Sequence, residues 1–563
     1  MAVVAAPSSG NFGYWPYAVG LIVALFAVLE VYWPASKGPF VFDDDYLPYG
    51  MDNYADVPVI GWIRGLRPVL MLSFWLNFQQ VGNSDTFPYH LVNFILHFLN
   101  GLMIFLAVRK VTSWAGVEGG LREVLSIFAA GFFLLHPLQT ESVSYIASRS
   151  ETLSVFWLLS AFVIFLYSPG KTVLWQRAIA ILALFGLAVL TKEHTAILPA
   201  LFLLTDYFWN PGFSLVGIRR NGRLYLPLLI AGAAGLAFVW RTLQRATTAG
   251  FSLGLFTWYQ YFFTECRAVW DYLRLFLLPL GQNLDVDFPI SRTLLDRGAL
   301  FGFIGLIAVT TLAWIYRRRF PLASYGWLTF LILLAPTSSF VPIKDPFAER
   351  RLYLPFIGLL FIVVEFLRRW KTSRNTMIAA LSLVLVVEGA LTYQRNQLWS
   401  SAIDLWNDAA AKSANAVRPR FQLAFAYYAA GRCDDAVNEF QKASELEPPK
   451  YDLLLDWAMA YDCAGKPEIA VTKLKQAAQL TSDAHVYQQL GNEYGRMGKY
   501  PEALDALATA VKLNPRFSMT YFTRGNVYFS EGDKSQAAAD YRRALVLNPR
   551  NELARTALAR TGQ

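Results

Sequence analysis

Long apolar runs fill the chain from residue 14 to about 394 and then stop. A helix needs about 20 mostly apolar residues to cross the hydrocarbon core. The runs therefore predict spans near 14–35, 89–109, 124–140, 149–168, 173–190, 194–210, 223–241, 297–316, 323–341, 352–369 and 375–394, eleven in all. One further apolar stretch, Leu255 to Leu280, carries Glu265, Arg267, Asp271 and Arg274, which suits an interfacial or re-entrant helix better than a span. From 395 onward the sequence turns to amphipathic helix rich in Ala, Asp, Lys and Arg. The expected fold is all-α: a polytopic membrane bundle over 1–394, with a first outer loop at 36–88, followed by a helical domain.

Basic residues orient the bundle. Arg109, Lys110 and Arg122, then Lys171 and Arg177, then Arg219, Arg220 and Arg223 fall in alternate loops, which places those loops in the cytoplasm. With 255–280 not crossing, Arg317, Arg318 and Arg319, and then Arg368, Arg369, Lys371 and Arg374, reach the same side. Eleven spans therefore fit better than twelve, and an odd count sets the C-terminal domain outside the cytoplasm. Arg149, Lys192, Arg350 and Arg351 break the rule and ask for a function. The first run, near Tyr14 to Trp33, lacks a basic leading region and a small-residue cleavage site, so it reads as a retained span.

After 417 the sequence repeats at 33 or 34 residues. Tyr427, Tyr461, Tyr494 and Tyr528 share one register, and Gly431, Gly465, Gly498 and Gly532 share another. Ala436, Ala470, Ala503 and Ala537 follow five residues later, where two helices must approach closely, and Pro448, Pro515 and Pro549 end units. This period and these positions match tetratricopeptide repeats, with units at about 417–450, 451–483, 484–517 and 518–549, a helical connector at 395–416 and a capping helix at 550–563. Such arrays present a concave surface for binding, here for a protein acceptor or partner.

Composition sharpens this reading in three places. Hydrophobic residues make up 55% of the 563, too many for a soluble fold of this length. The formal charge of +9 comes without any Lys/Arg block interleaved with aromatics, so nucleic acid is excluded as a partner. Cys266, Cys433 and Cys463 form no C-x-x-C pair, which argues against a disulfide framework or a structural zinc site.

The candidate chemistry lies where polar residues interrupt the spans. Asp43, Asp44 and Asp45 follow the first span on the outer side. Adjacent carboxylates repel, which raises the proton affinity of at least one and suits a general base. His90, Asn93, His97 and Asn100, spaced three, four and three apart, lie on one face of the second span. His136, Glu141 and Arg149 bracket the next outer connection, and Lys192, Glu193 and His194 the one after. Lys344, Asp345, Glu349, Arg350, Arg351 and Tyr353 precede the tenth span. An arginine fork gives a phosphate two charge-assisted hydrogen bonds, so Arg149, Lys192, Arg350 and Arg351 are candidates for a phosphate-bearing substrate. No cofactor is required, although Asp43, Asp44 and Glu141 could supply oxygens to a divalent cation.

At Phe40-Val41-Phe42-Asp43-Asp44, Arg67-Pro68 with Ser73-Phe74 and Asn77, His90-Leu91-Val92-Asn93 with His97, His136-Pro137 with Thr140-Glu141 and Arg149, Lys192-Glu193, Ala335-Pro336-Thr337-Ser338-Ser339 and Ala348-Glu349-Arg350-Arg351-Leu352-Tyr353-Leu354-Pro355, the chain resembles the transmembrane and tetratricopeptide repeat family. Its members are similar to GT-C glycosyltransferases and include protein O-mannosyltransferases. The resemblance implies a polyprenyl-phosphate-linked mannose donor, transfer to Ser/Thr hydroxyls outside the cytoplasm, and an acidic residue of the first outer loop as base. On this sequence Asp43 or Asp44 takes that role. Asp45, Arg67, His90, Asn93, His97, His136, Glu141, Glu193, Glu349 and Tyr353 would support substrate. The short loops suggest a bacterial inner membrane, with the repeats on the periplasmic side. Two rivals remain: a GT-C transferase using another lipid-linked sugar and a glycan or lipid acceptor, and a non-catalytic membrane-anchored scaffold.

Overall fold

A computed structural model describes residues 15–50, 57–168, 172–244, 249–251 and 253–562, so Tyr14 and Lys171 lie outside the described residues. The chain is all-helical there, apart from one isolated bridge between Ala249 and Ile343. It divides into two compact units at Leu405/Trp406, eleven residues beyond the expected boundary at 394.

In the first unit a helix stands at each of the eleven expected places: Trp15–Tyr32, Phe87–Trp114, Gly119–Leu135, Arg149–Leu166, Trp175–Thr191, Leu198–Trp209, Gly222–Leu243, Ala299–Ile315, Pro321–Leu334, Phe356–Leu367 and Arg374–Leu398. Among the described residues five stretches of helix are long and apolar enough to cross a membrane, or six if a pair bent by 51° at His136 is one span. The chain is an integral membrane protein. Several helices are shorter than expected because proline intervenes. Pro137 and Pro336 follow the ends of two of them, and Pro199 and Pro355 sit at the starts of two more, positions where the missing N–H costs little. The Trp258–Leu277 helix is separate. It opens on a reciprocal cap in which Gln260 N–H donates to Thr257 Oγ1 at 3.4 Å and Thr257 N–H donates to Gln260 Oε1 at 3.0 Å.

Small residues bring membrane helices together. Pro321–Leu334 and Phe356–Leu367 meet at Gly326 and Gly358, and a Cβ added to Gly358 would stand 2.5 Å from the Phe330 backbone nitrogen. The Gly119–Leu135 helix breaks at His136 and resumes only at Arg149 as a long helix, with short turns between. This stretch is buried almost throughout, Pro137 to Ser144 included.

In the second unit four helix pairs fall within the expected repeat bounds: Val417–Ala429 with Cys433–Leu446, Tyr451–Cys463 with Pro467–Leu480, Ala484–Arg496 with Tyr500–Leu513, and Ser518–Glu531 with Lys534–Leu547. A last helix, Glu552–Arg560, follows them, and Ala402–Lys412 precedes them in the expected connector. The repeating glycines have φ of +73°, +71°, +74° and +101°, the left-handed residue each pair needs between its helices. Ala436, Ala470, Ala503 and Ala537 are fully buried between the helices.

The expectation against a disulfide does not hold for the repeat unit, where Cys433 and Cys463 are bonded across 30 residues. The helical repeat explains the miss. It sets the end of one unit's first helix beside the start of the preceding unit's second helix, a proximity that no local cysteine spacing shows.

Candidate functional site

The site is built around the break at His136 to Ser148. Unpaired backbone groups there would be costly away from water, and side chains of neighbouring helices meet them. The Asn93 amide donates to Val143 O (3.2 Å) and Tyr145 O (3.4 Å). Asn100 donates to Thr152 O at 2.9 Å and to the Tyr353 hydroxyl at 3.0 Å, and His97 Nδ1 lies 2.9 Å from that same hydroxyl. His90 Nε2 is 3.1 Å from Gly38 O, and His136 Nε2 is 3.1 Å from Phe276 O. The polar stripe of the Phe87–Trp114 helix thus holds backbone in place, and Tyr353 belongs to the same network.

Arg149 leaves the candidate phosphate set. It is fully buried, donating to Asn93 Oδ1 (3.0 Å), Asn77 Oδ1 (2.6 Å), Ser73 O (3.2 Å) and Tyr89 O (2.9 Å), with its plane 4.4 Å from the centre of the Phe74 ring. Arg351 is engaged in the same way by Tyr261 OH (3.2 Å), Pro346 O (2.8 Å), Asp345 O and the Glu265 carboxylate at 3.7 Å. Both arginines position their surroundings.

The acidic triplet separates into different roles. Phe42 has φ +61°, a left-handed backbone rarely taken by a bulky residue, and it lies just before the two aspartates. Asp44 is fully buried and accepts from Val41 N–H (3.1 Å), Tyr49 OH (2.7 Å) and Ala147 N–H (2.9 Å), tying the outer loop to the broken segment. Asp43 is exposed, and its backbone N–H donates to the Tyr145 hydroxyl at 2.9 Å. Asp45 follows in the same turn, and its side chain is outside the described part.

Tyr145 joins the acid to a base. Burial above all, then Asp44 and Asp43, raises its phenol well beyond the usual range, while Arg350 faces it and opposes that shift. Arg350 is held by Glu141, which accepts from its guanidinium and from its backbone N–H at 2.8 Å. It also lies within electrostatic reach of Glu151 and Lys192. Lys192 pairs with Glu151 and donates to Ser150 Oγ at 3.3 Å, His194 Nε2 stands 3.5 Å from Glu151, and Arg67 grips Glu193 through two bonds of 3.1 and 3.0 Å. Burial pushes His194 down to about 4, so it is neutral beside that pair. Glu349 accepts from Asn283 N–H at 2.6 Å and Gln282 at 3.1 Å, and burial pushes it up to about 7.

Asp43, Arg350, Glu141, Lys192, Glu193 and Arg67 therefore meet in one charged neighbourhood. Arg149, Arg351, His90, Asn93, His97, His136 and Tyr353 buttress it. Sequence reasoning missed Tyr145, Tyr49 and Glu151. Only Glu151, an acid inside an apolar run, left a signal. The cation set Asp43, Asp44 and Glu141 is not assembled, because Glu141 turns to Arg350 and Asp44 to its three donors. Among the described residues no three metal-binding side chains converge.

A tetratricopeptide repeat family model matches residues 489–559. Across most of its length the chain is similar to the human protein O-mannosyl-transferase TMTC3, at 23% identity over 87% of this chain and 58% of the relative. It is also similar to the Caenorhabditis elegans protein O-mannosyl-transferase F38B6.6, at 22% identity over 76% and 63%, and to human TMTC4, at 24% over 72% and 62%.

The chain spans 58% to 63% of the length of these three relatives. Similar solved structures include the tetratricopeptide protein YrrB (19% identity, TM-score 0.25, 32% of this chain and 88% of that one). Another is TTC0263 of Thermus thermophilus (19%, TM-score 0.26, 32% and 95%).

The buttress role of Arg149 is testable by thermal unfolding in detergent. Arg149→Met strands Asn77 and Asn93 and is expected to cost about 3–5 kcal/mol. A normally folded variant with only a raised KM for a lipid-phosphate donor would return Arg149 to the substrate.

Proposed function

We propose that this chain is a GT-C type glycosyltransferase that moves a sugar, mannose by the names of its relatives, from a polyprenyl-phosphate carrier to Ser/Thr hydroxyls of a protein. The observation that carries the reading is the shared contact at Tyr145, where exposed Asp43 and the Glu141-held Arg350 face the same phenol. An exposed carboxylate and a cation thus both act on one side chain, and a displacement on a sugar phosphate uses groups of these two kinds.

The acceptor hydroxyl gives its proton to the Asp43 carboxylate as its oxygen attacks the anomeric carbon. The bond from that carbon to the phosphate oxygen breaks, and its electron pair stays on the lipid phosphate. Arg350, with Lys192 behind it, stabilises the departing charge. One displacement inverts the anomeric centre. Asp44, tied down by three donors, positions Asp43 and takes no proton.

The Cys433–Cys463 bond supports an extracytoplasmic repeat unit, since disulfides persist where the surroundings are oxidising. The eleven spans expected from the sequence point the same way. A bacterial inner membrane, with the repeats facing the periplasm, is the setting we infer. There the repeat unit would hold the protein acceptor.

Two experiments test the proposal. With radiolabelled polyprenyl-phosphate mannose, Asp43→Asn is expected to lose about 10²- to 10⁴-fold in kcat at unchanged thermal stability, whereas Asp44→Asn is expected to lose stability as well. Full activity in Asp43→Asn overturns the assignment. Separately, in intact cells Cys433 and Cys463 are expected to react with a membrane-impermeant maleimide only after external reductant. Labelling that requires permeabilised cells would place the repeats inside.

A further inference from the structure

The first helices of repeats one to three bring together more carboxylates than the repeat unit neutralises. Tyr428, on Val417–Ala429, lies within electrostatic reach of Asp456 and Asp462 on Tyr451–Cys463 and of Glu493 on Ala484–Arg496. Arg496 serves two of these acids, paired with Asp462 and 3.6 Å from Glu493.

Asp456 has no hydrogen-bond donor or cation partner among the described residues, and its nearest electrostatic neighbour is another acid, Asp452. Glu493 is only 4% exposed, and its Oε2 has no hydrogen-bond partner among the described residues. Phe425, whose ring is 6.5 Å from that of Tyr428, is 39% exposed.

Unmatched carboxylates at buried positions are costly unless a cation arrives. These acids lie on first helices, which line the concave face of such arrays. The donor set does not form a metal site. A guanidinium fork can reach two carboxylates at once, and an exposed aromatic ring can cover its stem.

We propose that this face holds an extended polypeptide by one basic side chain, an arginine for preference, seated between Asp456 and the Asp462–Glu493 pair with Phe425 against its stem. The proposal goes beyond the transferase reading and stands whether or not the bundle catalyses transfer, because its test reads binding alone.

The test uses the full chain in phosphatidylcholine nanodiscs. The probes are two fluorescein-labelled Gly/Ser/Thr peptides of about 12 residues, one with a central arginine and one with its uncharged isostere citrulline. Fluorescence polarisation is expected to show about tenfold tighter binding of the arginine peptide, and Asp456→Asn with Glu493→Gln is expected to abolish that preference. Equal affinity for the two peptides, including none for either, overturns the proposal, as does a preference that survives in the double variant.

Stability gives a second readout. Asp456→Asn removes an unmatched charge and is expected to raise the Tm near neutral pH, whereas a lowered Tm makes the carboxylate structural and overturns the proposal. Affinity is also expected to fall from roughly pH 8 to pH 6, because burial and then Asp452 push Asp456 up to about 7 and protonation removes the counter-charge. The charged groups facing it are Asp452, Asp462, Tyr428, Glu493 and Arg496. On the helices packed behind, Glu439 pairs with Arg420 and Lys442, and Lys473 lies over Trp457. Affinity that does not change with pH overturns the assignment to these carboxylates.

Discussion

Everything in the membrane unit depends on how the unwound backbone between His136 and Arg149 is satisfied inside an apolar bundle. Such backbone is tolerated at depth only where protein groups replace water. Here Asn93, Gln282 and the carboxylate of Asp44 supply them, with bonds to Val143, Pro137 and Ala147. The Arg149 guanidinium closes the arrangement from the other side, joining Asn93 to Asn77 and to Ser73 and Tyr89 carbonyls.

That same bonding arranges the chemistry. Asp44 is fixed by the broken segment, so its neighbour Asp43 is left exposed at a set place. Tyr145 belongs to the broken segment and carries both the Asp43 backbone and the field of Arg350. Arg350 in turn is held by Glu141, two residues beyond Gln139 in the same broken stretch. A network that is almost wholly internal leaves Asp43 exposed and Arg350 partly exposed at its edge, the groups that the proposed transfer would use.

The positions of the helices were readable because apolar length and tetratricopeptide spacing are local properties of sequence. A helix stands at each of the eleven expected places, although among the described residues only five or six are long and apolar enough to cross a membrane, and the four helix pairs occur. Span lengths were less readable, because Pro137, Pro199, Pro336 and Pro355 cut helices that hydropathy alone continues. The site was half legible. Ionisable residues beside spans marked Asp43, Glu141, Lys192 and Arg350, yet composition cannot tell a cation that waits for substrate from one consumed by carbonyls, as Arg149 and Arg351 are. Nor could it separate Asp43 from Asp44, a distinction that depends on Tyr49 and on an Ala147 amide about a hundred residues away. The disulfide was hidden for a related reason: the proximity of Cys433 and Cys463 comes from the stacking of repeats.

The most direct measurement is a structure of the full chain with a non-hydrolysable polyprenyl-phosphonate mannose. The account predicts the phosphonate within charge-assisted hydrogen-bond distance of Arg350, with the face of the anomeric carbon opposite the phosphonate turned toward Asp43. A donor bound away from Arg350, or with Asp43 on the far side of the bundle from the sugar, would contradict it.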